Sequence, residues 1–163
     1  MIDERLTEQF LELVEDNKKL IYKVSMMYCD NEIDKGDLFQ EIIYNLWKGF
    51  PSFRGDSKAS TWVYRVSINT AISWYKDFVK SKNHIEYTDV MPHLQNESDN
   101  NELFEKLHGA IGSLGKLDKA IILLQLDGYS YDEISEIIGL TKTNVATKIS
   151  RIKLKLKSYL SNN

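Results

Sequence analysis

The sequence predicts an all-α protein built as two small helical domains joined by a flexible acidic linker. Three observations carry that expectation. Apolar residues recur at three- and four-residue steps through most of the chain, the period of a helix with one buried face. Only two prolines and eight glycines interrupt its 163 residues. Between the periodic stretches lies one polar run, Gln95-Asn96-Glu97-Ser98-Asp99-Asn100-Asn101-Glu102, which has no apolar spacing and reads as linker. The first domain is therefore residues 1–80, the linker 81–102 and the second domain 103–163.

In the first domain, Leu6, Phe10, Leu13, Val14, Leu20, Ile21, Val24 and Met27 predict one helix over residues 6–28. Asp34-Lys35-Gly36-Asp37 reads as a turn, with either aspartate available to cap the next helix. That helix carries Leu38, Ile42, Leu46 and Trp47 and stops before Phe50-Pro51, because proline disfavours helix at the residue before it. A polar loop from Phe53 to Ser57 follows. A third helix then runs from Ala59 to Lys80, with Trp62, Val66, Ile72 and Tyr75 expected to face the core. Trp74 is also read as core.

In the second domain, Leu103, Leu107, Ile111 and Leu114 mark one helix, and Leu117, Ile121 and Leu124 the next. Ser130 followed by Glu133 fits a capping box ahead of a short helix bearing Ile134, Ile137 and Ile138. Gly139 suits a left-handed end to that helix. Thr141 caps a last helix, which buries Val145, Ile149, Ile152 and Leu156.

Composition narrows the function. No stretch is long and apolar enough to span a membrane, and the start Met1-Ile2-Asp3-Glu4-Arg5 lacks the pattern of a signal peptide. Cys29 is the only cysteine, and His84, His93 and His108 are isolated, so neither a metal site nor a cofactor is expected. These features predict a cytoplasmic protein. No nucleophile, base and orienting group come together, so it is not expected to be an enzyme.

The net charge of −3 hides strong segregation. Residues 54–82 hold six bases and two acids, residues 83–105 hold six acids and no Lys or Arg, and residues 140–163 hold six bases and no acid. A basic stripe makes phosphate contacts locally whatever the total. The capped short helix, glycine turn and basic last helix form a helix-turn-helix pattern. With Val145, Ile149 and Ile152 inward, Lys142, Thr143, Ala146, Thr147, Ser150 and Arg151 face outward, where small and basic side chains read base edges. In the first domain, Phe53, Trp62, Tyr64, Trp74 and Tyr75 lie near Arg54, Lys58, Arg65, Asn69 and Lys76, a mixture suited to unpaired bases.

At these residues the chain resembles a known family. Asp37-Leu38-Phe39-Gln40-Glu41, Leu46-Trp47, Phe53-Arg54-Gly55-Asp56-Ser57 and the run from Thr61 to Thr70 resemble region 2 of the extracytoplasmic-function (ECF) sigma factors of bacterial RNA polymerase. The run from Leu126 to Ile134, Ile138-Gly139-Leu140 and the run from Thr147 to Arg151 resemble their region 4. It departs from the family pattern at Leu114-Gly115, where a Leu-Pro pair is usual, and at Lys119, Ala146 and Lys148.

The resemblance implies a promoter-reading subunit without catalytic chemistry of its own. Asp37, Gln40, Glu41, Asn45 and Trp47 are expected to dock on the clamp helices of the polymerase's largest subunit, and the flap of the core polymerase is a separate implied contact of the chain. Phe53, Arg54, Gly55, Asp56, Ser57 and Lys58, with Arg65 and Asn69 alongside, are expected to capture a base flipped from the −10 element. Lys142, Thr143, Ala146, Thr147, Lys148, Ser150 and Arg151 are expected to read the −35 element. Promoter DNA, core polymerase and an inhibitory anti-sigma factor are the implied partners. Promoter elements roughly 17 base pairs apart lie about 58 Å apart, within the about 75 Å reach of the linker when extended. The alternative reading is a freestanding helix-turn-helix regulator of duplex DNA.

Overall fold

The computed structural model describes residues 3–81 and 99–162. Among the described residues are seven α-helices and no strand: α1 (Glu4–Tyr28), α2 (Glu32–Gly49), α3 (Ala59–Ser81), α4 (Asp99–Gly112), α5 (Lys116–Leu126), α6 (Tyr131–Ile138) and α7 (Lys142–Asn162). The chain divides into two compact units, Met1–Met91 and Pro92–Asn163. Most of the expected linker, residues 82–98, lies outside the described residues, as do His84 and His93. Its last four residues belong to α4, which begins at Asp99. Glu102 there pairs with Lys106 one turn on, at 3.0 Å, a link that supports helix in a run whose composition reads as coil.

In the first unit, α1, α2 and α3 all pack on one another. Asp3 caps α1 by accepting the Arg5 N–H at 3.1 Å, and Glu4 favours the positive end of the helix dipole. The shared core holds Phe10, Ile21 and Val24 of α1, Leu38, Ile42 and Leu46 of α2, and Tyr64, Ile68 and Ala71 of α3. Two buried hydroxyls are satisfied within their own helices: Ser25 donates to the Ile21 carbonyl at 3.0 Å and Ser67 to the Val63 carbonyl at 2.7 Å.

Two expectations fail in this unit. Asp34-Lys35-Gly36-Asp37 is not a turn; it lies inside α2. Asn31 is the cap, its side chain accepting the Asp34 N–H at 2.8 Å, and Glu32 and Asp34 occupy the first turn. Lys35 is buried with its ammonium 3.1 Å from Glu32 one turn earlier, so the Asn31 cap and this pair continue a helix where composition favours a break. The second failure is the inward face of α3. Trp62, Val66, Ile72, Trp74 and Tyr75 are only half-buried, and the core stripe is Tyr64, Ser67, Ile68 and Ala71.

Burial pushes the Tyr28 phenol well above its ordinary pKa of 10.0. Below pH 10 the phenol is neutral in both folded and unfolded chains. Above it the unfolded chain ionises first, so the stabilisation that Tyr28 confers is lost as pH rises through that range. Alkaline titration followed at the phenolate absorbance should therefore include a Tyr28 step that appears only with unfolding. A Tyr28→Phe variant should lack that late step.

In the second unit α5 is central, with Ala120, Ile121, Ile122, Leu123 and Leu124 buried in succession against α4, α6 and α7. Ser130 and Glu133 form the full capping box of α6. Gly139 ends that helix at φ +80, where a Cβ is disfavoured. Thr141 accepts the Asn144 N–H at 3.2 Å and so opens α7, whose Val145, Ile149 and Ile152 are buried. Leu156 is half-buried. The α4 stripe departs from expectation. Ile111 and Leu114 are buried, but Leu103 and Leu107 are exposed, and continuous burial along α4 begins only at Gly109.

Candidate nucleic-acid interface

The side of α3 opposite its core stripe carries Trp62, Arg65, Val66, Asn69, Ser73 and Lys76, residues that recur at helical steps. Exposure rises along it: Trp62, Arg65 and Val66 are half-buried, and Asn69, Ser73 and Lys76 are exposed. Trp62 and Asn69 are seven residues apart, or about 10 Å along the axis. Three stacked bases at about 3.4 Å each cover that length. The aromatic end is built by packing. Phe50 opens a single 3-10 turn, Phe50–Ser52, that carries Pro51. Phe53 leaves this turn and stacks on Trp62, with ring centroids 4.8 Å apart and planes at 28°. Gly49 makes room for the indole, since a Cβ there would lie 3.1 Å from Trp62.

The loop after Phe53 is open to solvent. Arg54, Gly55, Asp56 and Lys58 are exposed and Ser57 is half-buried. Gly55 has φ +74, in the left-handed region where glycine carries no Cβ penalty. This loop thus presents two cations beside a stacked aromatic pair, while Tyr64 is fully buried and unavailable to any base.

Asn69 also lines a cleft of about 300 Å³ between α2 and α3, with Glu41, Asn45, Thr70, Ser73, Trp74 and Asp77. The Asn45 amide donates to Thr70 Oγ1 at 3.2 Å across the helix pair. Asn45, expected on a docking surface, therefore also holds α2 to α3. Trp47 is half-buried and meets Phe10 of α1 edge-on, with centroids 5.0 Å apart. Asp37, Gln40 and Glu41 are exposed on one face of α2. The same face continues to Tyr44, which is exposed and lies 5.2 Å from the Lys48 ammonium. The sequence reading passed over Tyr44 and Lys48, although the steps 37, 40, 41, 44, 48 are helical.

On α7, Thr143, Thr147, Ser150 and Arg151 are exposed, opposite Val145, Ile149 and Ile152. Ala146 is half-buried at the edge of this face. Lys142 is exposed and reaches Asp132 of α6 at 3.2 Å. Lys148 is set apart from the outward face: it is half-buried and its ammonium lies 3.1 Å from Asp118 of α5. Two exposed residues were missed. Asn144 sits exposed in the first turn, and its amide is a group chemically able to bond the edge of adenine. Leu154 continues the line of Thr143, Thr147 and Ser150 and is 68% exposed, placed to meet an apolar group. Small polar side chains along a basic helix allow close approach to a groove floor, and Arg151 supplies a bidentate donor.

The profile of Sigma-70 region 2 matches residues 13–78, and that of Sigma-70, region 4 matches residues 104–156. The chain is 31% identical over 133 residues to the ECF RNA polymerase sigma-E factor of Escherichia coli K12, covering 72% of this chain and 69% of that protein. It is 29% identical over 176 aligned positions to the protein of that name in Haemophilus influenzae, covering 91% and 92%. It is also 29% identical over 136 residues to RNA polymerase sigma factor YlaC of Bacillus subtilis, covering 77% of this chain and 76% of that protein. Among solved structures, the sigma factor RpoE of Bartonella quintana, in complex with the anti-sigma factor NepR, superposes with a TM-score of 0.70 at 18% identity over 98% of both chains. CnrH, in complex with the cytosolic domain of CnrY, also gives 0.70 at 18%, over 96% of this chain and 90% of the other. No described helix is long and apolar enough to cross a membrane.

Proposed function

Because this chain belongs to the ECF sigma factors of RNA polymerase, we propose how its two units divide the reading of a promoter. The protein binds core RNA polymerase and directs promoter-specific initiation of transcription. Residues 1–80 dock on the core and handle the −10 element, and residues 103–163 read the −35 element. The exposed α2 face of Asp37, Gln40 and Glu41, extended by Tyr44, meets the clamp helices of the largest subunit. Asn45 and Trp47 act behind it by fixing α2 against α3 and α1. The single observation that carries the −10 assignment is the outward stripe of α3. It runs from the Phe53–Trp62 stack to the exposed Asn69 on a helix whose opposite side is core.

An unpaired base finds there an aromatic face, the cations of Arg54 and Lys58, and an amide able to bond its edge. Unstacking a base costs a few kcal/mol, and contacts of this kind offset that cost and so couple recognition to strand opening. The exposed residues Thr143, Asn144, Thr147, Ser150 and Arg151 then read the −35 duplex. The protein works in the cytoplasm with core polymerase and carries out no catalytic step of its own. An anti-sigma factor covers exposed apolar side chains such as Leu103 and Phe104 of α4, a reading supported by the inhibited complexes of the two structural neighbours. A freestanding regulator would account for the second unit alone and leaves region 2 without a role.

Run-off transcription with core polymerase on a genomic library tests the function. Starts at specific promoters, dependent on this chain, are expected, and promoter-independent starts would overturn the reading. Asn69→Ala should impair opening more than closed-complex formation. Permanganate reactivity of −10 thymines should fall while duplex binding at low temperature is retained. Footprints equal to those of the unaltered protein would remove Asn69 from the role.

A further inference from the structure

We propose that Asp118 is a specificity-determining residue of the −35 contact, acting by withholding two lysines of α7 from the phosphate backbone. Its carboxylate lies in the first turn of α5. The Lys148 ammonium sits 3.1 Å from Oδ1 and the Lys155 ammonium 3.6 Å from Oδ2. The two lysines are seven residues apart, about two helical turns, yet both fold back onto one carboxyl group. Asp118 is 17% exposed, against 35% for Lys148 and 64% for Lys155. The anion is therefore the fixed, enclosed partner, and the lysines are the long side chains drawn to it.

Stability alone does not account for this arrangement. Pairs with partly exposed lysines contribute little, with a median of about 0–1 kcal/mol, while α5 already has an apolar surface that holds α7. The consequence for DNA is larger. Each lysine on a phosphate adds sequence-independent affinity and steepens the salt dependence by about 0.9 per contact. Residues 140–163 hold six bases, and Asp118 occupies two of them. Phosphate attraction is thereby lowered at the edge of α7 without altering its outward face. Discrimination then rests on Thr143, Asn144, Thr147, Ser150 and Arg151.

This inference rests on α7 being the −35 reader. The test uses the full chain assembled with core polymerase. Its closed-complex affinity is measured across 50–200 mM salt on a promoter fragment and on one with a scrambled −35 element. Asp118→Asn, checked for folding by thermal unfolding, should steepen the logarithmic salt slope by up to about 1.8 on both fragments. It should also reduce the affinity ratio between them. Adding Lys155→Gln to Asp118→Asn should take back about 0.9 of that slope, whereas Lys155→Gln alone should leave the slope unchanged. A folded Asp118→Asn protein with an unchanged slope overturns the proposal. So does a loss of about 0.9 from Lys155→Gln alone, which would place that lysine on phosphate already. If Asp118→Asn does not fold, Lys155→Gln decides by itself. Failure of the unaltered holoenzyme to distinguish the two fragments would instead remove the −35 reading, and this proposal with it.

Discussion

Replacing Ile149 with alanine is expected to destabilise the second unit by about 2–5 kcal/mol, the range for emptying a buried aliphatic site. Ile149 is 1% exposed and lies between Val145 and Ile152 on the inward stripe of α7. A unit of this size draws only about 3–5 kcal/mol from its core, so the loss approaches the whole. The helices from α4 to α7 should melt at 37 °C and −35 discrimination should vanish. The first unit has its own core and should remain folded. Trp47, Trp62 and Trp74, the three tryptophans of the chain, all lie in the first unit. Tryptophan fluorescence should therefore stay native while far-ultraviolet circular dichroism loses helix. Simultaneous loss of both signals would mean that the units do not fold independently.

Arg151→Ala should weaken −35 recognition without touching the fold. Arg151 is exposed on the outward face of α7, beside Ser150 and one turn beyond Thr147. A guanidinium bidentate to guanine contributes about 1–3 kcal/mol of discrimination, or roughly five- to 150-fold in affinity. If it reads a base, the loss falls on the promoter fragment and spares the scrambled one. If it only touches phosphate, both fragments weaken alike and the salt slope falls by about 0.9. Competition binding by the holoenzyme separates these outcomes. Equal affinity and equal slope for the variant would place Arg151 off the DNA.

Some features were legible because their cause is local. The capping box needs only Ser130 and Glu133 three residues apart, and Gly139 needs only a backbone that a Cβ would strain. The inward stripe of α7 stands out because, Leu154 apart, its outward face is polar and basic. The outward residues Thr143, Thr147, Ser150 and Arg151 follow by subtraction. The α3 helix is the opposite case. Its apolar and aromatic residues are spread around the axis, and hydrophobicity favours Trp62 and Val66 for the core. The core in fact accepts Ser67 and Ala71, whose small side chains let α3 pack tightly against α1 and α2. Of the α3 aromatics, Tyr64 enters the core and Trp62 is left half-buried on the outer side, where a base would stack. Tyr44 does not stand out in the sequence, because only the packed helix shows that its face of α2 is exposed.

Taken alone, the order of residues determines that this protein is helical, two-part, capped where Ser130 and Thr141 stand, and basic along its last helix. These properties depend on contacts within a few residues, and hydrogen-bond geometry and helical period dictate them. Tertiary structure decided which side of α3 faces outward, and that Lys148 and Lys155 are held by Asp118 from another element. Such choices turn on which surface finds a partner of fitting shape and charge, and residues of another helix supply that partner, as Asp118 does for Lys148, 30 positions away.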